Sequence, residues 1–183
     1  MPDRRVRATR DELPFAIRTA RPSDAPALLS VHARAIRKLA ATHYSEDQQA
    51  AWIARMSVER LREAMSARQL IAAEVTTDEG PRIIGYGQLH PVEGAIEAIY
   101  VDPDFSRQGV GQALCDALQE RARSLGLPGL VLDASLNSVP FYAAMGFRRR
   151  CLDHHELAPG VRMAFAVMEK RFAPAAQAPR RVR

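Results

Sequence analysis

The sequence predicts an α/β (α+β) domain: a mixed, mainly antiparallel central sheet of about seven strands with helices on both faces. Three observations point there. Short β-favouring runs are punctuated by tight turn signals, TDEGP at 77–81 and Glu93-Gly94. Apolar residues recur at helical spacing over 26–40 and again after Gly109. Strands and helices also interleave along the chain, the order expected of a sheet covered by helices.

The elements follow in order. A short, partly alternating strand over 15–20 leads into RPSDAP, turn chemistry in which Ser23 is the expected helix N-cap. Leu28, Val31, His32, Ala35, Ile36 and Leu39 then mark one face of a helix over 26–40, and a second helical stretch runs over 46–65 with a break expected near Ser57. Strands over 69–76, 82–90 and 95–101 are joined by turns short enough for an antiparallel meander. After SRQGVG, residues Val110, Ala113, Leu114, Ala117, Leu118 and Leu125 trace the apolar face of a helix ended by Gly126 and Pro128. Leu130-Val131-Leu132 is a fully apolar strand. Residues 137–145 read as a short helix with Pro140 near its first turn and Gly146 as its C-terminal cap. Strands over 147–156 and 161–171 flank Ala158-Pro159-Gly160 and form a hairpin.

The chain of 183 residues has room for one domain of ordinary size. Its 47% hydrophobic and 26% charged residues exclude a wholly disordered protein. Apolar runs of only a few residues predict no transmembrane helix, and MPDRRVRATRDELPF lacks the apolar stretch of a secretory signal. Cys115 and Cys151 cannot make a disulfide framework or metal cluster at that spacing, so a reduced, cytoplasmic location is expected, with no membrane partner. A net charge of +5 and a pI near 9.8 invite a nucleic-acid reading. Seven of the 26 basic and three of the 21 acidic residues lie in 1–13 and 174–183, both read as flexible tails, so 14–173 holds 19 basic and 18 acidic residues. The domain is nearly neutral, and no nucleic-acid partner is expected.

The sharpest local feature is Val101-Asp102-Pro103-Asp104-Phe105-Ser106-Arg107-Gln108-Gly109-Val110-Gly111, which passes from a strand straight into an amphipathic helix. Backbone N–H groups at a helix start lack internal partners and face the positive end of the dipole, which suits an anion such as phosphate. Gly109 and Gly111 permit close backbone approach, and Arg107 adds a charge. A plain strand-to-helix turn would look the same in isolation. Leu114 stands where a dinucleotide fingerprint needs its third glycine, and no Gly-Lys-Ser/Thr ending of a P-loop is present.

A second segment, Asn137-Ser138-Val139-Pro140-Phe141-Tyr142-Ala143-Ala144-Met145-Gly146-Phe147, follows downstream. Together, Tyr100-Val101-x-Pro103, Arg107-Gln108-Gly109-Val110-Gly111 and Asn137…Phe141-Tyr142…Gly146-Phe147 closely resemble the GNAT superfamily of acetyl-CoA-dependent N-acetyltransferases. The resemblance is specific over about residues 95–150 and looser over 14–94, where Arg18 to Asp24 resembles the family's opening strand and turn. It implies one N-acetyltransferase domain over 14–173, with a splay between the fourth and fifth strands. It further implies that the coenzyme A pyrophosphate lies on the amides of Arg107, Gln108, Gly109, Val110, Gly111 and Gln112. The pantetheine arm would pair with the edge at Ile99, Tyr100 and Val101, Asn137 would contact that arm, and Tyr142 would stand near the thioester sulfur. Ser106 departs from the pattern, which usually has Gln or Arg there; one side-chain contact is lost and the backbone cradle remains.

Acetyl transfer to an amine needs a neutral nucleophile, and an alkyl ammonium with a pKa near 10.4 is only about one part in a thousand free amine at neutral pH. A base is therefore required, an oxyanion partner for which the family implies the Val101 N–H, and a proton for the departing thiolate. Tyr142 is the expected general acid, its alternative being a tyrosine that simply packs the core. Glu97 and Glu93 are the expected bases; strand alternation puts Glu97 on the face of Ile99 and Val101, and each is equally readable as a solvent-facing carboxylate. His90 is a third candidate. His43, Tyr44 and Trp52 line an acceptor cleft or pack the core; His154-His155 is not expected to bind metal, and Cys115 reads as a small core residue. The leading reading is an N-acetyltransferase acting on a primary amine of a small molecule or peptide by direct attack in a ternary complex, as monomer or homodimer. Its rival is a coenzyme A sensor or interaction module without turnover.

Overall fold

Eight strands form one sheet in the computed structural model, whose described residues are 4–5 and 14–173. The strands are β1 Arg4–Arg5, β2 Phe15–Thr19, β3 Leu70–Thr77, β4 Gly80–His90, β5 Ala95–Val101, β6 Gly129–Ser135, β7 Arg148–Ala158 and β8 Val161–Arg171. The helices are α1 Ala25–Leu39, α2 Glu46–Ala54, α3 Val58–Ser66, α4 Val110–Ser124 and α5 Val139–Ala144. Sheet order is β1-β2-β3-β4-β5-β6-β8-β7, with every neighbouring pair antiparallel except β5 and β6. The seven expected strands are thus present from Phe15 onward, and β1 adds an eighth. Apart from Arg4–Arg5, the two tail segments lie outside the described residues. No helix among the described residues is long and apolar enough to cross a membrane.

Side-chain periodicity sorts the core into layers. On one face α4 and α5 bury Leu114, Cys115, Leu118 and Tyr142 against Ile84, Leu89, Ile96, Leu130, Leu132 and Met168. On the other, α1 and α3 bury Leu28, Val31, Leu61 and Met65 against Leu70, Ala72, Tyr86 and Ala98. A side chain at Gly87 would place its Cβ 2.9 Å from Leu118 Cδ1, so the bare backbone of β4 lets α4 settle close to the sheet. A third cluster of Ala40, Tyr44 and Met163, with Trp52, Leu136 and Leu157 beside it, ties the α1–α2 connection to β8.

Serines cap the two middle helices. Ser45 and Ser57 accept the Gln48 and Arg60 N–H groups and start α2 and α3, the latter at the expected break. Ser23 is not the cap of α1: residues Pro22–Asp24 form a 3-10 turn and the helix begins at Ala25. The cause is a contact from outside the segment, since Arg18 of β2 binds both Asp24 carboxylate oxygens at 2.7 and 3.1 Å and reaches Glu74 of β3 as well. Burial pushes the Asp24 carboxyl upward, but the Arg18 hydrogen bond and the Arg21 backbone N–H outweigh it and hold the group below its usual range.

α1 also buries a titratable group. His32 is 2% exposed; its Nδ1 lies 3.1 Å from the Tyr86 hydroxyl, and its ring packs on Tyr100 with centroids 4.4 Å apart. Burial lowers its pKa from 6.5 to about 4. The unfolded chain therefore binds a proton below about pH 6.5 that the folded chain refuses until about pH 4. Stability is expected to fall across that window by up to about 3 kcal/mol on account of His32 alone. Urea unfolding of wild type and His32→Phe at pH 7 and pH 4.5 checks this: the variant should lose less stability on acidification than wild type.

Candidate active site

The glycine loop forms from a braced strand end. Asp102, 3% exposed, accepts the Asp104 N–H and receives Arg34 of α1 and Arg82 of β4 at 3.1 and 3.2 Å, while Arg34 also reaches Asp104 at 2.7 Å. Two arginines from different elements thus fix residues 102–105 before the loop turns. Arg107 (φ +64°) and Gly109 (φ +81°) then adopt left-handed backbone, and α4 starts at Val110. Gly109 serves that φ and not a steric need, since an added Cβ there would meet no atom within 4 Å. The Cβ of a residue at Gly111 would be no nearer than 3.5 Å to Phe141, so neither glycine answers to crowding within the chain. The first helical bond runs from Ala113 N–H to Gly109 O, which leaves the amides of Val110, Gly111 and Gln112 to face outward from the helix start. Left-handed backbone at Arg107 and again at Gly109 bends the loop into an arc ahead of the helix start. Arg107 and Gln108 are exposed beside it.

Beside this loop the sheet opens. β5 and β6 are parallel and share one rung, Ala95↔Val131, after which they separate. The Asp102 N–H bonds to Ile84 O on the β4 side, so strand alternation turns the N–H and C=O of Val101 and Ile99 toward the gap. The Tyr100 backbone faces β4; its ring lies under α1, stacked on Tyr86 at 5.4 Å. Across the gap, β6 ends in the turn Leu136–Ser138, where the buried Oδ1 of Asn137 has no hydrogen-bond partner. An orphaned acceptor, an unpaired strand edge and a helix N-terminus therefore border one slot. These groups fit an extended ligand that carries amide N–H groups and ends in phosphate.

Tyr142, at the middle of α5, is 7% exposed and packs edge-on to Phe141 and Phe147. Burial, with Cys115 and Tyr100 acting in the same direction, raises its pKa, so the hydroxyl keeps its proton throughout the working pH range. Burial likewise pushes the Cys115 thiol up to about 12, which removes it as a nucleophile and leaves it the core role expected of it.

The two expected bases part company. Glu93 lies in the turn before β5, where its N–H is 3.3 Å from His90 Nδ1; this is the closed end of the slot, the opposite end of the strand from the glycine loop, and the structure does not bring Glu93 or His90 to the opening. Glu97 does border the opening, but not on the face of Ile99 and Val101. Gln88 pairs with Ala98 and Leu89 with Ile96, which leaves Glu97 as the extra residue of a β-bulge. The bulge breaks the alternation and turns the carboxylate to the α1–α3 side, where Gln88 Nε2 donates to it. His43 is exposed and contacts Thr42, 2.9 Å away. Tyr44 donates to Ala164 O and accepts from Leu136 N–H, both at 2.7 Å, and its ring meets Trp52 at 5.7 Å; both rings pack the third cluster. No group of three or more His, Cys, Asp or Glu among the described residues is placed to hold a metal. Two features escaped the sequence reading: the Arg34–Arg82 clamp, and an Asp133–His155 pair whose one sequence signal is a carboxylate inside an otherwise apolar strand.

Comparison with known proteins gives consistent matches. Residues 40–170 match the family model described as an acetyltransferase (GNAT) domain. An uncharacterized N-acetyltransferase, YafP of Escherichia coli K12, is 30% identical over 132 residues, covering 72% of this chain and 80% of that protein. Among solved structures, a GCN5-related N-acetyltransferase from Rhodopseudomonas palustris superposes with a TM-score of 0.76 at 30% identity, covering 86% of this chain and 95% of the other. The paiA N-acetyltransferase of Thermoplasma acidophilum, solved in complex with coenzyme A, gives 0.69 at 22% identity over 86% and 99%.

Proposed function

Since the chain belongs to the GNAT acetyltransferase family, we propose that it transfers the acetyl group of acetyl-CoA to a primary amine of a small molecule or peptide, by direct attack within a ternary complex. One observation carries the reading: the slot between β5 and β6, open beyond its single rung and bordered by the Asn137 Oδ1 and the start of α4. In this reading the amides from Arg107 to Gln112 hold the pyrophosphate, and the Ile99 and Val101 edge with Asn137 holds the pantetheine amides. The Val101 N–H points at the developing oxyanion, and such a donor is worth about 3 kcal/mol to the transition state. Glu97 takes a proton from the ammonium, the neutral amine attacks the thioester carbonyl carbon, and the carbon–sulfur bond breaks as the Tyr142 hydroxyl protonates the leaving thiolate; the second proton shed by the nitrogen as it becomes an amide restores the Tyr142 hydroxyl. Glu93 has no part in this scheme.

Acetyl-CoA in large excess over its dissociation constant is expected to raise Tm by several degrees, since a ligand at a hundredfold its Kd adds about 2.7 kcal/mol to stability. Differential scanning fluorimetry checks it, and an unchanged Tm would remove the slot from the reading. Thiol release dependent on added amine then separates turnover from binding alone.

A further inference from the structure

On the α1–α3 side of the sheet, helices cover β2 to β5 and leave the outer face of β6 open: Val131 and Asp133 are exposed, whereas Leu130, Leu132 and Ala134 of the same strand are buried. Glu97 and Asp133 each lie two residues beyond the Ala95↔Val131 rung, on the two strands that border the slot. The bulge that reverses Glu97 brings its carboxylate to the same side as that of Asp133. Behind Asp133, His155 of β7 lies flat on Phe165 of β8, centroids 3.9 Å apart and planes 16° from parallel, and sets its Nε2 3.2 Å from Asp133 Oδ2. That stacking fixes the imidazole edge and with it the carboxylate. Burial raises the Asp133 carboxyl, an effect that His155 opposes and Asp153 adds to, and a cation beside it would favour its ionised form.

We infer that Asp133, oriented by His155, binds the ammonium of a cationic acceptor on the wall opposite Glu97, and that the acceptor is an alkylamine without a neighbouring anionic group. This rests on the reading of the slot given above and divides the work between two carboxylates: Asp133 holds the acceptor and Glu97 removes its proton. His155 acts through Asp133 and is a positioning residue. Phosphorylated amino sugars and acidic amino acids meet like charge at both walls and are disfavoured.

The test uses the full chain with acetyl-CoA and four amines: n-butylamine, 1,4-diaminobutane, glucosamine 6-phosphate and glutamate. Thiol release is expected with the first two. Asp133→Asn should raise KM for the amine about tenfold or more, with kcat within about threefold and KM for acetyl-CoA unchanged, as befits the loss of a charge-assisted contact to one substrate. Asp133→Glu should restore part of the affinity, and His155→Gln should raise the amine KM in the same direction by a smaller factor. Glu97→Gln should instead lower kcat. A purely structural role for the pair would depress Tm and disturb both substrates alike. The inference is overturned by release confined to the anionic amines, by release with none of the four, or by an unaltered amine KM in Asp133→Asn. If acetyl-CoA also fails to raise Tm, the reading of the slot falls with it; if Tm rises, only the assignment of the acceptor fails.

Discussion

Tyr142→Phe is expected to lower kcat by about a hundredfold or more while the affinity for acetyl-CoA stays within a few-fold. The substitution removes one oxygen from a ring already packed against Phe141 and Phe147, so the fold loses little, and no hydrogen bond to a described residue is broken. What is lost is the proton for the leaving thiolate, which is needed after binding is complete and is therefore read in kcat. Stopped-assay thiol release with calorimetric binding of coenzyme A separates the two quantities. Turnover unchanged from wild type would take Tyr142 out of the chemistry and return it to the core.

The second large effect concerns Gly109. Its left-handed φ of +81° is tolerated by Asn and Asp better than by other residues, and a Cβ at this position meets no atom within 4 Å. Gly109→Asn and Gly109→Asp are therefore a matched pair that folds alike, each with a backbone cost of about 1 kcal/mol or less. Gly109→Asp puts a negative charge on the arc of amides that is proposed to cradle pyrophosphate, and should weaken acetyl-CoA binding about a hundredfold or more beyond Gly109→Asn. Equal affinities in the two variants would place the phosphates elsewhere.

Much of this site was legible from the sequence, for identifiable reasons. The loop from Val101 to Gly111 and the segment from Asn137 to Phe147 are each continuous, so every group they contribute is fixed by local backbone, and strand and helix periods are local as well. The misplacements arose wherever a distant residue intervened. Ser23 lost the cap position because Arg18 of β2 holds Asp24 while also binding Glu74 of β3. The face of Glu97 was misjudged because alternation assumes a regular strand, while pairing with β4 inserts a bulge. Glu93 is near Glu97 in sequence but remains at the closed end of the slot. Asp133 and His155 lie on strands that are not neighbours, and they meet because His155 reaches across β8 over Phe165, a contact that chain order does not announce.

The single rung between β5 and β6 has a mechanical consequence. With almost no backbone bonding across that boundary, the two half-sheets are held in register by the side chains beneath them: Ile96 of β5, Leu130 and Leu132 of β6, and Leu114 and Leu118 of α4, which touch both halves through one core. The width of the slot is thus set by the volume of buried hydrocarbon beneath it, and the core acts as a spacer. Trimming or enlarging a buried residue such as Leu132 is therefore expected to change the gauge of the opening, and with it cofactor affinity, from inside the fold.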